Sequence, residues 1–271
     1  MARDFTKNTA NYLSWGVNAI GPLLNGLSAI SCHAWIRPDT FGTGTNDNTI
    51  VSVDIGNAQV GLTLVVNGSG ANKVLRALGR SSTSDSLQAK NATSDLTLST
   101  WHSVGMVSDI GGDTITPYVN GVAEGGGAVI YASATYTNSG DQTTGDGIGV
   151  RDHTSHTAAI QFDGRICEVA IWSVDIGANA FASLARGVSP YRIRAGNLIV
   201  YMPLFGIASP EVCHAGSGKL GTITGSLPVI DHAPVIPCFG YAGWRGAFTA
   251  AAAAANPTYQ PWYHRAPVLA Q

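Results

Sequence analysis

Charge is what this sequence has least of. Asp, Glu, Lys and Arg supply 12% of the 271 residues, against roughly 25% in an ordinary soluble domain. The 15 basic and 17 acidic residues nearly cancel, and no Lys/Arg run occurs, so a nucleic-acid backbone finds little to bind. No apolar stretch approaches the ~18 uninterrupted residues that a membrane-spanning helix needs. The opening Met-Ala-Arg-Asp-Phe-Thr-Lys-Asn-Thr lacks the apolar centre of a secretion signal. Without a secretory route, the sequons Asn67-Gly68-Ser69 and Asn91-Ala92-Thr93 are expected to be chance matches.

Glutamate is scarcer still, confined to Glu124, Glu168 and Glu211. Retaining glycoside hydrolysis needs two carboxyl groups about 5–5.5 Å apart, which strands supply as near neighbours on one face. None of the three Glu lies within four residues of another or of a same-face strand Asp. Asp163 and Glu168, five apart, fall on opposite faces by alternation. Catalysis is therefore not expected. Cys32, Cys167, Cys213 and Cys238 show no C-x-x-C spacing, which speaks against zinc. Cys32 and Cys167 read as buried thiols acting as small hydrophobes. Cys213 and Cys238 bracket a loop-rich segment where a disulfide would restrain the unfolded chain by ~2–4 kcal/mol, and their state stays open.

What the chain does have is 45% hydrophobic residues and 33 Gly, so its surface is built from Ser, Thr, Asn, Gly and apolar atoms. Such a surface is covered by a neighbour with little charge to desolvate. Residues 101–122, W-H-S-V-G-M-V-S-D-I-G-G-D-T-I-T-P-Y-V-N-G-V, form the most legible stretch. Two runs with period-two alternation flank Gly111-Gly112-Asp113, and Asn120-Gly121 closes the second: a β-hairpin. Short strands are also predicted over 11–15, 29–36, 49–55, 61–66, 73–78, 86–90, 128–132, 148–150, 162–172 and 198–203. Phe181, Leu184 and Ala185, closed by Gly187, predict one short helix.

The Trp-His start, the Asp near the turn and Tyr118-Val119-Asn120-Gly121-Val122 resemble the central hairpin of laminin-G-like domains, members of the concanavalin-A-like sandwich superfamily. Residues 162–172, F-D-G-R-I-C-E-V-A-I-W, are similar to that family's late strand, and 29–36 to its early strand. The resemblance covers residues 5–204. It implies an all-β, two-sheet antiparallel jelly-roll sandwich over 1–205, with Cys32 and Cys167 on neighbouring strands. It does not decide function, because the fold hosts lectins, glycosidases, adhesion modules and virion proteins alike.

Residues 206–271 read as an extended arm holding seven of the chain's twelve prolines, with one added edge strand at 220–228. Ala250 to Ala255 is too short to hold a helix alone. Trp244, Phe248, Tyr259, Trp262 and Tyr263 are its candidate partner contacts: aromatic burial, at ~1.5–3 kcal/mol each, would offset the ordering of a chain with no core of its own.

Calcium is the cation that the resemblance suggests, at a rim with Asp109, Asp113, Asn120, Asp141 and Asp146 in predicted turns. Most such residues are turn formers bonding their own backbone, and no ligand set is assigned. Asp152, His153 and His156 read as an exposed polar loop, and His102 as a strand residue at a sheet surface. Trp15, Trp35, Trp101 and Trp172 lie in predicted strands, where packing roles are expected. The expectation from sequence is a non-enzymatic structural protein at a virion surface. It would be a capsid decoration protein whose arm binds the major capsid protein or further copies of the chain. The alternative is an extracellular glycan-binding module, calcium-dependent or not.

Overall fold

The computed structural model describes residues 2–7, 11–41, 48–56, 59–67, 73–140, 145–151, 161–206 and 209–235. In chain order its strands are β1 (Ala2–Phe5), β2 (Tyr12–Val17), β3 (Ala29–Pro38), β4 (Asn48–Asp54), β5 (Val60–Val66), β6 (Val74–Gly79), β7 (Gln88–Asp95), β8 (His102–Asp109) and β9 (Thr114–Val119). They continue with β10 (Val122–Ala123), β11 (Gly127–Ala128), β12 (Gly145–Ile148), β13 (Gly164–Trp172), β14 (Leu198–Met202), β15 (Glu211–Val212), β16 (Leu220–Thr224) and β17 (Val229–Ile230). Two α-helices, α1 (Gly21–Leu24) and α2 (Ala178–Ala185), interrupt them.

The strands form the expected antiparallel sandwich. One sheet has nine strands, ordered β10-β9-β8-β3-β13-β1-β17, with β11 beside β9 and β14 beside β13. The other has eight, ordered β15-β16-β2-β12-β4-β5-β6-β7. Alternation decides which residues meet between them. Ile30, Cys32, Ala34 and Ile36 of β3, with Val104 and Met106 of β8, face Val51 and Val53 of β4 and Leu62, Leu64 and Val66 of β5 in one core. Each large side chain buried there contributes ~1.5–3 kcal/mol.

Residues 209–235, grouped with the arm on composition, contribute β15, β16 and β17. β16 pairs with β2 and β17 with β1, so the added strand expected at 220–228 is present over Leu220–Thr224. The compact unit runs to Pro237. Trp244, Phe248, Tyr259, Trp262 and Tyr263 lie outside the described residues, as do Cys238, Asp141, Asp152, His153 and His156.

The outer face of the nine-stranded sheet is closed. Phe181 and Leu184 of α2 pack with Val107, Tyr118, Ala170 and Trp172, Phe181 stacking on Tyr118 at 3.9 Å between centroids. Gly105 makes room for this ring, since a Cβ there would sit 2.4 Å from Phe181. Farther along, Ala233 packs on Ala2, Trp35 and Cys167. No such apolar cluster of described residues forms over the outer face of the eight-stranded sheet.

Cys32 points into the core and Cys167 to the opposite side of its sheet, so neighbouring strands do not bring the two sulfurs together. Both are free, as is Cys213. Burial pushes the Cys32 thiol up to about 12, and burial followed by the Glu168 charge raises Cys167. Both are unreactive, as expected of small buried hydrophobes.

Candidate ligand-binding face

The register of the eight-stranded sheet assigns its outer face residue by residue. Leu62, Leu64 and Val66 enter the core, so Thr63 and Val65 point outward. Thr63 pairs with Ser52 and Leu78, Ser52 with Gly147, Gly147 with Ser14, and Ser14 with Thr222. A row crossing five strands therefore carries small hydroxyl side chains on four of them, broken by Gly147 on β12. A second row holds Thr49, Val65, Arg76 and Asn91, and a parallel bridge sets Gln161 beside Thr49. The centre of the face is closed to solvent, with Ser52, Thr49, Gln161 and Thr63 between 0% and 2% exposed. Its margins at Asn91 and Thr222 are open.

Polar atoms at that centre are only partly met by the protein. The hydroxyls of Ser52 and Thr63 bond each other at 3.1 Å, and Asn48 Nδ2 donates to the Gln161 carbonyl at 2.7 Å. Thr49 Oγ1 and Gln161 Oε1 have no hydrogen-bond partner. An unmet buried oxygen costs ~1–3 kcal/mol, a cost that a bound molecule bearing hydroxyl groups removes.

The rim residues weighed for calcium hold the backbone instead. Asp146 Oδ2 accepts from the N–H groups of Ile20 (2.6 Å) and Gly21 (3.2 Å), and its Oδ1 from Asp54 (2.7 Å). Asp109 Oδ1 accepts from Gly112 N, Asp113 Oδ1 from Tyr131 N, and Asn120 Oδ1 from Ser103 N. These are turn and loop anchors. Among the described residues no three His, Cys, Asp or Glu side chains cluster as a metal site would.

Each glutamate is likewise committed. Glu124 accepts from the backbone and hydroxyls of Thr93 and Ser94. These bonds hold its carboxyl below the usual range, although burial, the largest single influence, acts upward. Glu211 pairs with Arg3 at 2.8 Å. Glu168 sits in a β-bulge, where β13 is in register with β3 at Cys167 and again only at Ala170. Its φ of 54° breaks the alternation from which its facing was read. Its carboxylate accepts from Tyr201 Oη at 2.8 Å and meets His232 Nε2 at 3.2 Å. Replacing Tyr201 by Phe removes the first of these bonds from a buried carboxylate and is expected to cost about 2 kcal/mol in urea denaturation.

The tryptophans take packing roles. Trp15 Nε1 reaches Met202 Sδ at 2.8 Å, and Trp172 Nε1 donates to the Ile193 carbonyl at 2.7 Å. Sequence reasoning missed Thr49, Ser52, Thr63 and Gln161 as a group. The only signal was a polar residue interrupting each of the apolar runs T-I-V-S-V and L-T-L-V-V.

Residues 8–179 match the family model of the concanavalin A-like lectin/glucanases superfamily. No curated protein matches the chain by sequence. Among solved structures, a candidate carbohydrate-binding protein from Bacteroides ovatus superposes with a TM-score of 0.62 at 23% identity, over 87% of this chain and 61% of that one. The chain thus spans less than two thirds of that relative's length. The heptameric SAP-like pentraxin of Limulus polyphemus gives 0.52 at 12% identity, over 82% and 94% of the two chains. The CBM40 of a Ruminococcus gnavus sialidase, bound to α2,3-sialyllactose, gives 0.52 at 10% identity, over 68% and 96%. At these identities the likeness is one of fold.

Proposed function

Because this chain belongs to the concanavalin A-like lectin/glucanases superfamily, we propose that it is a non-catalytic, lectin-like carbohydrate-binding module whose site is the outer face of the eight-stranded sheet. The observation that carries this reading is the pair of buried, unpartnered oxygens on Thr49 and Gln161, beside the hydroxyls of Ser52 and Thr63. A saccharide brings hydroxyl groups that both donate and accept, and that is the chemistry the face leaves unmet. Two fold neighbours, the candidate carbohydrate-binding protein and the sialidase module bound to α2,3-sialyllactose, support the same class. The commitment of all three glutamates to protein donors supports binding without hydrolysis.

The capsid-decoration reading rested on the arm aromatics, which lie outside the described residues, and neither the sandwich nor the comparisons speak for it. The glycan-binding alternative takes its place.

A glycan array followed by titration of the best ligand tests the proposal. Thr49→Val keeps the shape and deletes the unmet hydroxyl. It is expected to weaken binding about tenfold while leaving folding stability unchanged or slightly higher. No saturable binding to any glycan, or a Thr49→Val variant that binds like the wild type, would count against the proposal.

A further inference from the structure

The same face carries a buried positive charge with no counter-ion. Arg76 and Leu78 point outward, since they pair with Val65 and Thr63. Gly79 faces the core, where an added Cβ would meet Ser108 and Tyr131. Arg80 therefore returns to the outer side, its N–H bonding to the Gly61 carbonyl at 3.1 Å. It is only 9% exposed. Its Nη1 donates to Gln59 Oε1, while its buried Nε has no partner.

Two acids lie in its field, Asp85 and Asp54, and neither closes an ion pair with it. The ion pairs among described residues involve Arg3, Arg37 and His232. Asp85 Oδ2 is turned instead to the N–H and hydroxyl of Ser81, at 3.1 and 2.7 Å. A second cation, Arg151, is close enough to act on Arg80. Burial first, and Arg151 second, hold Arg80 below the ordinary arginine value. A buried guanidinium is normally held by a carboxylate, because its desolvation is otherwise uncompensated.

We infer that the face takes an acidic saccharide, whose carboxylate is received by Arg80 with Arg151 nearby. The inference rests on the reading of this face as a sugar site and names its ligand class. The planar fork of a guanidinium suits a carboxylate in two-point contact. The hydroxyl row at Ser14, Ser52 and Thr63 lies alongside for the ring hydroxyls.

The test is calorimetric titration of the full chain with paired ligands. Uronate and sialate oligosaccharides are each compared with their methyl esters, and sulfated ones with desulfated forms. The acid is expected to bind about tenfold or more tightly than its ester, with the uronate and sialate arms telling which carboxylate is read. Arg80→Gln should abolish that gap and not lower the Tm, since it removes a charge that no carboxylate pairs. Arg80→Lys keeps the charge without the fork and should restore only part of the gap. Equal binding of acid and ester, a preference for sulfate alone, or a gap that survives Arg80→Gln overturns the inference and leaves the sugar site standing. Binding of no saccharide, acidic or neutral, removes both.

Discussion

Replacing Glu211 by alanine is expected to cost about 3–5 kcal/mol of folding stability. Arg3 and Glu211 meet at 2.8 Å with 9% of each side chain exposed, so neither charge has water to fall back on. The pair is also built into the backbone. Arg3 Nη1 donates to the Leu227 carbonyl at 2.7 Å, and Gly206 N donates to Glu211 Oε1 at 3.0 Å. Removing the carboxylate takes the Glu211 counter-charge from a buried guanidinium and frees the Gly206 amide at once. The double variant Arg3→Met, Glu211→Leu should recover most of the loss, because two apolar groups replace two desolvated ions. Urea midpoints of the two variants and the wild type settle the matter. A single variant losing under about 1 kcal/mol would mean that the pair behaves as an exposed one.

The second large effect is a pair of opposing pH profiles. His33 is fully buried, and burial drives its imidazole from 6.5 down to about 3, the backbone of Glu168 opposing only in part. The unfolded chain therefore takes up this proton first. Stability from His33 is complete above about 6.5 and falls by about 1.4 kcal/mol for each unit of acidification toward 3. Asp146 runs the other way. Burial lifts its carboxyl from 3.8 to about 6 against the lowering pull of the Asp54, Ile20 and Gly21 N–H groups. The folded state binds that proton first, so its contribution is complete below about 3.8 and lost as the pH rises to 6.

Between pH 4 and 6 the two slopes cancel in the wild type. His33→Asn should therefore gain about 3 kcal/mol on going from pH 6 to 4, and Asp146→Asn should lose about as much. Denaturant melts at three pH values give the slopes. Parallel profiles for the two variants would show that these groups do not titrate as their burial dictates.

Local pattern made the sandwich legible wherever one face is apolar and the other is not. The β8–β9 hairpin follows from alternation around Gly111-Gly112, and α2 from Phe181 and Leu184 ahead of Gly187, whose φ of 87° ends the helix. β1 carried no such signal. Its sequence, Ala-Arg-Asp-Phe, is buried only because β13 and β17 arrive on either side, and Arg3 is held there by Glu211 and the Leu227 carbonyl among its partners. After residue 205 the strand at 220–228 was legible, whereas β15 and β17, two residues each beside Pro210 and Pro228, were too short to show a pattern.

The bulge at Glu168 defeated counting by twos, because one extra residue turns its carboxylate outward. On the candidate face, alternation in β4, β5 and β6 already put Ser52, Thr63 and Arg76 on one side. What no local pattern contained is the bridge between Thr49 and Gln161, 112 positions apart. That neither Asp85 nor Asp54 closes an ion pair with Arg80 was equally out of reach, because both are properties of the assembled sheet.

The placement of β1 has a consequence for how the molecule is made. β1 must wait for Val229 and Ile230, far later in the chain, before both its edges are bonded, and loop closures that long are slow. Until those residues are in place, β1 is an unpaired edge of its sheet. A chain cut short before that point would expose a ready-made edge to its neighbours. Val229 and Ile230 thus act as a zip, and nicking near residue 230 is a direct way to reopen the fold at β1.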